Sequence, residues 1–396
     1  MQKDKRLVVA FLIVIFGVFL CIPSKFVLVK MGIMSMNMDN FSEYKEKNEK
    51  NIVDKLNNIV GKMEKTLENK VTNYFPLYNE LNTFYQNVNF ASNKLLFKDV
   101  PIKTNSDGEY IFYDKVNEFY YLTNKYSDEE LDVRLEKQVK FFNELSNKGI
   151  NVNIYIPTRY EFTKLKENNL SGYVDEFVNK LDNKINTRVM NITSIDEYKK
   201  YFYKTDHHWT IYGALDGYQD ICDMLGIQKL NDLNTMEHKE KKYYGSLAKT
   251  ALNDGINDYI SDVDIKLYYD VYVNGKEADK LFKPREIRLD RDYKYYDYYV
   301  QYFNGQYGSV VYDYHDENKE NLLIVGDSYS WQIDYLIASS FNKTHVINLR
   351  YDKYKNKEFN LSKYVSDNNI SKVLFLYDGG SSIFDQYNYN FEGRVK

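Results

Sequence analysis

Leu322-Leu323-Ile324-Val325-Gly326-Asp327-Ser328-Tyr329 is the stretch whose reading decides the fold. Four apolar residues run into a Gly-Asp-Ser turn, and a helical pattern follows from about Trp331 to Ser339. That is a buried strand feeding a helix. The rhythm continues downstream with strand Thr344 to Asn348, a helix near Leu361 to Ser366, and strand Lys372 to Tyr377. Upstream, Ser127-Asp128-Glu129-Glu130 is a capping box. It opens a helix carrying Leu131, Leu135, Val139, Phe142 and Leu145, stopped by Gly149. Val152 to Ile156 follows as a strand ended by Pro157, and Arg188 to Ile192 reads as another. Helix, short turn and strand in alternation predict an α/β domain with a parallel sheet.

In open α/β sheets ligands bind beyond the carboxyl ends of the strands, and Ser328 stands at such an end. A lone Gly-Asp-Ser is usually only a turn. Between an apolar strand and a helix it puts a serine Oγ in the crevice with backbone N–H groups beside it, suited to attack and to oxyanion binding.

The second informative stretch is Tyr203-Lys204-Thr205-Asp206-His207-His208-Trp209-Thr210. Two of the chain's 5 histidines stand side by side next to an aspartate. Residues two apart in an extended or turning segment face the same side, so Asp206 can hold the His208 imidazole while its other nitrogen faces a serine. His207 is then expected to point away as a packed or hydrogen-bonded neighbour. Asp-His-His also resembles a metal-ligand list. Consecutive side chains diverge, however, and no further His or Cys cluster completes a set, so neither metal nor cofactor is expected. Ala214, Leu215, Tyr218, Ile221, Cys222 and Leu225 then trace an apolar helix face that closes at Gly226.

The rest of the chain sets the context. Its 396 residues can bury a large core. Net charge is -4 and no basic stripe is interleaved with aromatics, which gives nucleic acid nothing to bind. Lys3, Lys5 and Arg6 precede an apolar run from Leu7 to Pro23, without an A-x-A-like cleavage site after it. The reading is an uncleaved signal-anchor, with a cleaved signal peptide as the alternative; either puts the bulk of the chain outside the cytoplasm. Cys21 lies in that run, so Cys222 is alone in the rest: no disulfide within the domain and no Cys-based metal site. Ile52, Val53, Leu56, Ile59, Val60 and Met63 have helical spacing in a polar stretch, as in a stalk or a packed helix. From about 240 to 315 the pattern turns to alternation and aromatics, expected to be an antiparallel insertion or lid. The 40 tyrosines are either a compositional bias or, between Tyr293 and Tyr314, platforms for sugar rings.

Thr205-Asp206-His207-His208-Trp209-Thr210 with Gly213-Ala214 resembles the signature of the DHHW family, which is similar to the alginate O-acetylation proteins of SGNH hydrolase-like fold. The resemblance extends through Lys241 to Leu247, Ile324 to Ser330, Val346 to Tyr351 and Val373 to Tyr377, and covers roughly residues 70 to 390. It implies an SGNH-like (flavodoxin-like) parallel sheet flanked by helices, with nucleophile Ser328, base His208 and orienting Asp206. Arg350, His207, Trp209 and Tyr329 are expected to bind substrate or support the site. The domains expected are a membrane anchor over 1–30, a helical segment over 31–95, and a catalytic domain over 96–396 with a β-rich insertion at about 240–315. The family implies an extracytoplasmic, membrane-anchored O-acetyltransferase. Its implied acceptor is a polysaccharide and its implied acetyl donor a multispanning membrane O-acyltransferase. An acetyl esterase with the same triad and a non-catalytic polysaccharide-binding protein are the alternatives. Asp and His precede Ser here, whereas ordinary SGNH esterases place Ser first. Tyr377-Asp378-Gly379-Gly380 departs from the polar amide that relatives carry.

Overall fold

A computed structural model describes residues 109–396 apart from 252–253, 279–286, 288, 290–293, 304, 352–353, 355–358, 386–390, 392–393 and 396. The anchor expected over 1–30 and the helical segment over 31–95 lie outside the described residues, as do Cys21 and Tyr293. Among the described residues no helix is long and apolar enough to cross a membrane.

The chain begins with a hairpin, β1 (Tyr110–Asp114) and β2 (Phe119–Thr123). Helix α1 (Asp128–Asn147) follows, opened by the expected capping box: Glu130 N–H donates to Ser127 Oγ, and Glu130 Oε2 accepts from Ser127 N–H. Then come β3 (Val152–Ile156), α2 (Ser171–Lys180), β4 (Asn186–Val189) and α3 (Ile195–Tyr201). Helix α4 (Ile211–Leu225) is capped by Thr210 and stops at Gly226, whose φ of 67° is the left-handed conformation that glycine adopts without strain. The middle of the chain gives β5 (Asn234–Tyr243), α5 (Ser246–Ala251), β6 (Asp258–Asp264), β7 (Asp270–Val273), β8 (Lys276–Glu277) and β9 (Ser309–Asp313). The last part gives β10 (Asn321–Gly326), α6 (Asp334–Ala338), β11 (Lys343–Ile347), α7 (Leu361–Asp367), β12 (Ile370–Leu376) and α8 (Gly379–Phe384).

Eight strands form the main sheet in the order β4-β3-β12-β10-β11-β9-β7-β8. The first five are mutually parallel; β9, β7 and β8 extend the sheet antiparallel beyond β11. Part of the segment expected as an insertion or lid is therefore sheet edge. The other part, β5 with β6, is a separate antiparallel ribbon. Both faces of the parallel part are covered, which is why its strands read as continuous apolar runs. Along β10, Leu322 and Ile324 join one core with Ala214, Tyr218 and Ile221 of α4. Leu323 and Val325 join the other with Leu131, Leu135 and Phe142 of α1 and Phe177 of α2.

The sheet order explains why Asp and His precede Ser. Counted from β10, the parallel strands run β11-β10-β12-β3-β4, the 2-1-3-4-5 order of a doubly wound sheet whose chain has been cut between its third and fourth strands. β11 lies on one side of β10 and β12 on the other, so the chain reverses direction across the sheet beside β10. The crevice opens at that point, and Ser328 leaves from it.

Candidate active site

The loop between α3 and α4 is a tight reversal. Phe202 and Trp209 form an antiparallel bridge, Tyr203 N–H donates to His208 O at 3.1 Å, and Thr210 N–H donates to Tyr201 O at 2.8 Å. Asp206 and His207 lie at its tip. The loop is held from outside by Asp258, which accepts from Lys204 N–H, from Thr205 N–H and from Thr205 Oγ1–H at 2.6 Å. Leu247 and Ala248 N–H of α5 donate to Thr205 O.

The strand β10 ends at Gly326, and Asp327 accepts from Tyr329 N–H at 3.0 Å. The chain then enters a 3-10 turn, Ser328–Gln332, and α6 starts only at Asp334. The single helix expected from Trp331 to Ser339 is thus divided at Ile333, whose φ of -129° is not helical.

Ser328, His208 and Asp206 meet across this gap. His208 Nε2 is 2.7 Å from Ser328 Oγ, and its Nδ1 is 2.5 Å from Asp206 Oδ1. Asp206 Oδ1 also accepts from His208 N–H at 3.0 Å. Its Oδ2 accepts from Ser246 N–H at 2.6 Å and from the Tyr243 hydroxyl at 3.0 Å. Burial alone would push this carboxyl up, but the facing imidazoles of His208 and His207 and the Ser246 N–H hold it well below the usual carboxylate range. An ionised Asp206 fixes the His208 proton on Nδ1 and leaves Nε2 to accept from the serine. Ser328 is partly exposed, whereas His208 and Asp206 are buried. Such an arrangement can remove a proton from the serine as it attacks a carbonyl.

His207 does not point away. Its ring lies 3.9 Å from that of His208, its Nδ1 is 2.9 Å from Ser246 Oγ, and it stands 3.4 Å from Asp206 Oδ1. Side-chain alternation belongs to extended backbone, and a tight loop tip does not follow it. Burial and the neighbouring His208 push His207 down to about 3, against the pull of Asp206, so it is neutral and shares a hydrogen bond with the Ser246 hydroxyl. The divergence that argued against a metal is absent too: one ligand atom each of Asp206, His207 and His208 lie within 4.8 Å of one another. All three side chains are nonetheless hydrogen-bonded as described.

The other expected residues fall into place unevenly. Tyr329 is buried and donates its hydroxyl to His207 O at 2.5 Å. Trp209 is wholly buried against Tyr329 and Tyr155, and a Cβ on Gly217 would lie 2.8 Å from it, so its ring has no exposed face. Arg350 follows β11 at the carboxyl edge, partly buried, 5.5 Å from the Tyr351 ring and close enough for its charge to help push His207 down. Asp378 caps α8 through Ser381 N–H, and Gly379 packs under Phe162.

Tyr299, Tyr243 and Ser246 were not singled out from the sequence. Tyr243-Tyr244-Gly245-Ser246 lies inside the family resemblance, and its glycine was the available signal. Tyr299 had no signal among 40 tyrosines. Of the described tyrosines between Tyr293 and Tyr314, where sugar platforms were one of two alternatives, Tyr295, Tyr298, Tyr299, Tyr302 and Tyr312 are buried, and Tyr296, Tyr307 and Tyr314 are partly exposed.

Several solved structures share this fold. PatB1 of Bacillus cereus, solved with a sulfonyl adduct, matches with a TM-score of 0.57 at 19% identity, over 71% of this chain and 98% of its own. A second structure of PatB1 gives 0.55 at 20% identity, over 72% and 100%. A DHHW family protein from Eubacterium siraeum gives 0.54 at 18% identity, over 74% and 98%. No family model matches the chain, and no curated protein does.

Proposed function

We propose that this chain is a serine-dependent O-acetyltransferase of SGNH-like fold that modifies an exported or cell-envelope polysaccharide. The observation that carries the reading is His208 bridging Ser328 Oγ at 2.7 Å and Asp206 Oδ1 at 2.5 Å. Ser328 Oγ attacks the donor's acetyl carbonyl while His208 Nε2 takes its proton. The leaving group departs with that proton, and an acetyl–Ser328 ester remains. An acceptor sugar hydroxyl then attacks the ester, gives its proton to His208, and releases Ser328, which recovers the proton. The Ser328 N–H, adjacent to the reacting centre, is the expected oxyanion donor.

The DHHW resemblance supports transfer to a glycan, with a multispanning membrane O-acyltransferase as acetyl source. The apolar run from Leu7 to Pro23 supports a membrane anchor with the catalytic part extracytoplasmic. The fold shared with PatB1, solved with a sulfonyl adduct, supports a nucleophile that such reagents capture.

The test is to incubate the purified full-length chain with a small acetyl ester and a glycan acceptor, and separately with a sulfonyl fluoride. Wild type is expected to acetylate the acceptor and to carry the sulfonyl group on Ser328. Ser328→Ala should lose both by several orders of magnitude. Retention of more than about a tenth of wild-type turnover by that variant would overturn the assignment. Deacylation by water alone at every acceptor concentration would make the chain an esterase.

A further inference from the structure

We propose that Tyr299 is a positioning residue of this site, holding the His208 imidazole in the plane that joins Asp206 to Ser328. The proposal rests on the serine-dependent reading above and adds a residue to it from outside both sequence motifs.

His208 makes its two ring hydrogen bonds at opposite nitrogens, Nδ1 to Asp206 and Nε2 to Ser328. Two bonds at the two ends of a ring define an axis and leave the ring free to swing about it. Only contact with the ring faces stops that swing. Tyr299 stacks on His208 at 3.8 Å between centroids with 10° between planes. His207 lies 3.9 Å from the same ring at 35°. Two rings this close cannot share one face, so the imidazole is held between them.

The Tyr299 stack differs from its other ring contacts. Tyr203 and Tyr302 meet it nearly edge-on, at 89° and 76°, and Trp331 is tilted by 33° at 6.2 Å. Those are ordinary core packing; the shortest and most nearly parallel of these contacts is with His208. The Tyr299 hydroxyl donates to Ser328 O at 3.2 Å and lies 3.4 Å from Gln332 Oε1. One side chain therefore touches the base through its face and the nucleophile's backbone through its tip. It is fixed in turn by a 3-10 turn, Tyr298–Tyr302, in which Asp297 accepts from Tyr299 N–H at 3.1 Å.

Charge points the same way. When His208 takes the serine proton it becomes an imidazolium, which an aromatic face attracts. The titratable groups around it are Asp206 at Nδ1, His207 on the opposite face, Tyr299 and Tyr329 at the ring, and Asp297 nearby. His207 is neutral, so the new charge meets no like charge across the sandwich.

The experiment compares Tyr299→Phe and Tyr299→Leu in the full-length chain. It reads hydrolysis of a small acetyl ester, the thermal unfolding midpoint, and the low-field proton resonance of the His208 Nδ1–H bonded to Asp206. Tyr299→Leu is expected to lower kcat about 100-fold with KM little changed, and to broaden or abolish the resonance. Tyr299→Phe keeps the stack and should keep the resonance, with a loss of about fivefold from the missing hydroxyl. A Leu variant that folds, keeps the resonance and stays within about threefold of wild type would overturn the proposal. So would a Phe variant as impaired as the Leu variant, because the ring would then not be the agent. If Tyr299→Leu does not unfold cooperatively, Tyr299→Met, which fills the space without a flat face, is held to the same criteria. Active Ser328→Ala would instead sink the serine mechanism and leave the resonance arm standing.

Discussion

A Cβ on Gly245 would lie 2.4 Å from the Cβ of Asp206 and 2.6 Å from its Oδ2. Residue 245 is a glycine because the carboxylate that orients His208 occupies the space where its side chain would be. Gly245→Ala must therefore displace Asp206 or the chain bearing Ser246, whose N–H that carboxylate accepts. Ester turnover should fall about 100-fold, since the Asp206–His208 alignment tolerates little displacement. Gly226→Ala is the control. Nothing lies within 4 Å of a Cβ there, but its φ of +67° is strained for alanine. It should lower stability by about 1 kcal/mol in urea titration and leave turnover alone.

Adjacent histidines are separable by rate. His208→Ala should be as inactive as Ser328→Ala, because Nε2 is the atom that faces Oγ. His207→Ala removes one wall of the sandwich and the bond to Ser246, and should cost about tenfold, with a lower unfolding midpoint. The reverse ranking would mean that the Asp-x-His pairing has been misassigned. Dialysis against a chelator should leave turnover unchanged; a loss restored by zinc would make Asp206, His207 and His208 metal ligands.

His207 also sets a pH dependence of stability. Its pKa falls from 6.5 to about 3 in the folded chain. Between those values the unfolded chain binds a proton that the folded site refuses, so this group's contribution to stability is full above about 6.5 and is lost as pH falls toward 3. In urea titrations from pH 7 to pH 4, wild type should lose stability more steeply than His207→Asn. Equal slopes would remove His207 from the account.

Arg350 stands just beyond the carboxyl end of β11, partly buried, and near enough for its charge to act on His207. If that end of the sheet receives the acceptor, Arg350→Ala lowers transfer to a glycan by about tenfold and hydrolysis of a small ester by less than twofold. Small, equal effects on both would return Arg350 to an ordinary surface role.

The residues that act along one strand or one turn were legible in the sequence. β3 ends where Pro157 ends the pattern, Ser127 and Glu130 form the capping box, and Asp206, His208 and Ser328 meet as their motifs imply. Residues that act through space were not. Tyr299 and Gly245 matter for what they touch across the fold, and neither has a period or a spacing that says so. His207 is the packed, hydrogen-bonded neighbour expected, but it faces the same side as His208 because strand alternation does not hold at a loop tip. The antiparallel strands β7 to β9 read as a separate insertion, since an edge pairing made with a strand later in the chain leaves no trace in either one.

The permuted strand order also governs the order in which the molecule comes into being. Strands β12, β10 and β11, at the middle of the sheet, are drawn from residues 321–376, made well after β3 and β4. Until then β3 has β4 as its only sheet partner, and its other edge stays open for the time needed to synthesise well over a hundred residues. His208 precedes by 120 residues the Ser328 it meets, and that contact forms only once β10 is in place. The β3 edge is thus open to wrong pairing in the nascent chain until β12 covers it.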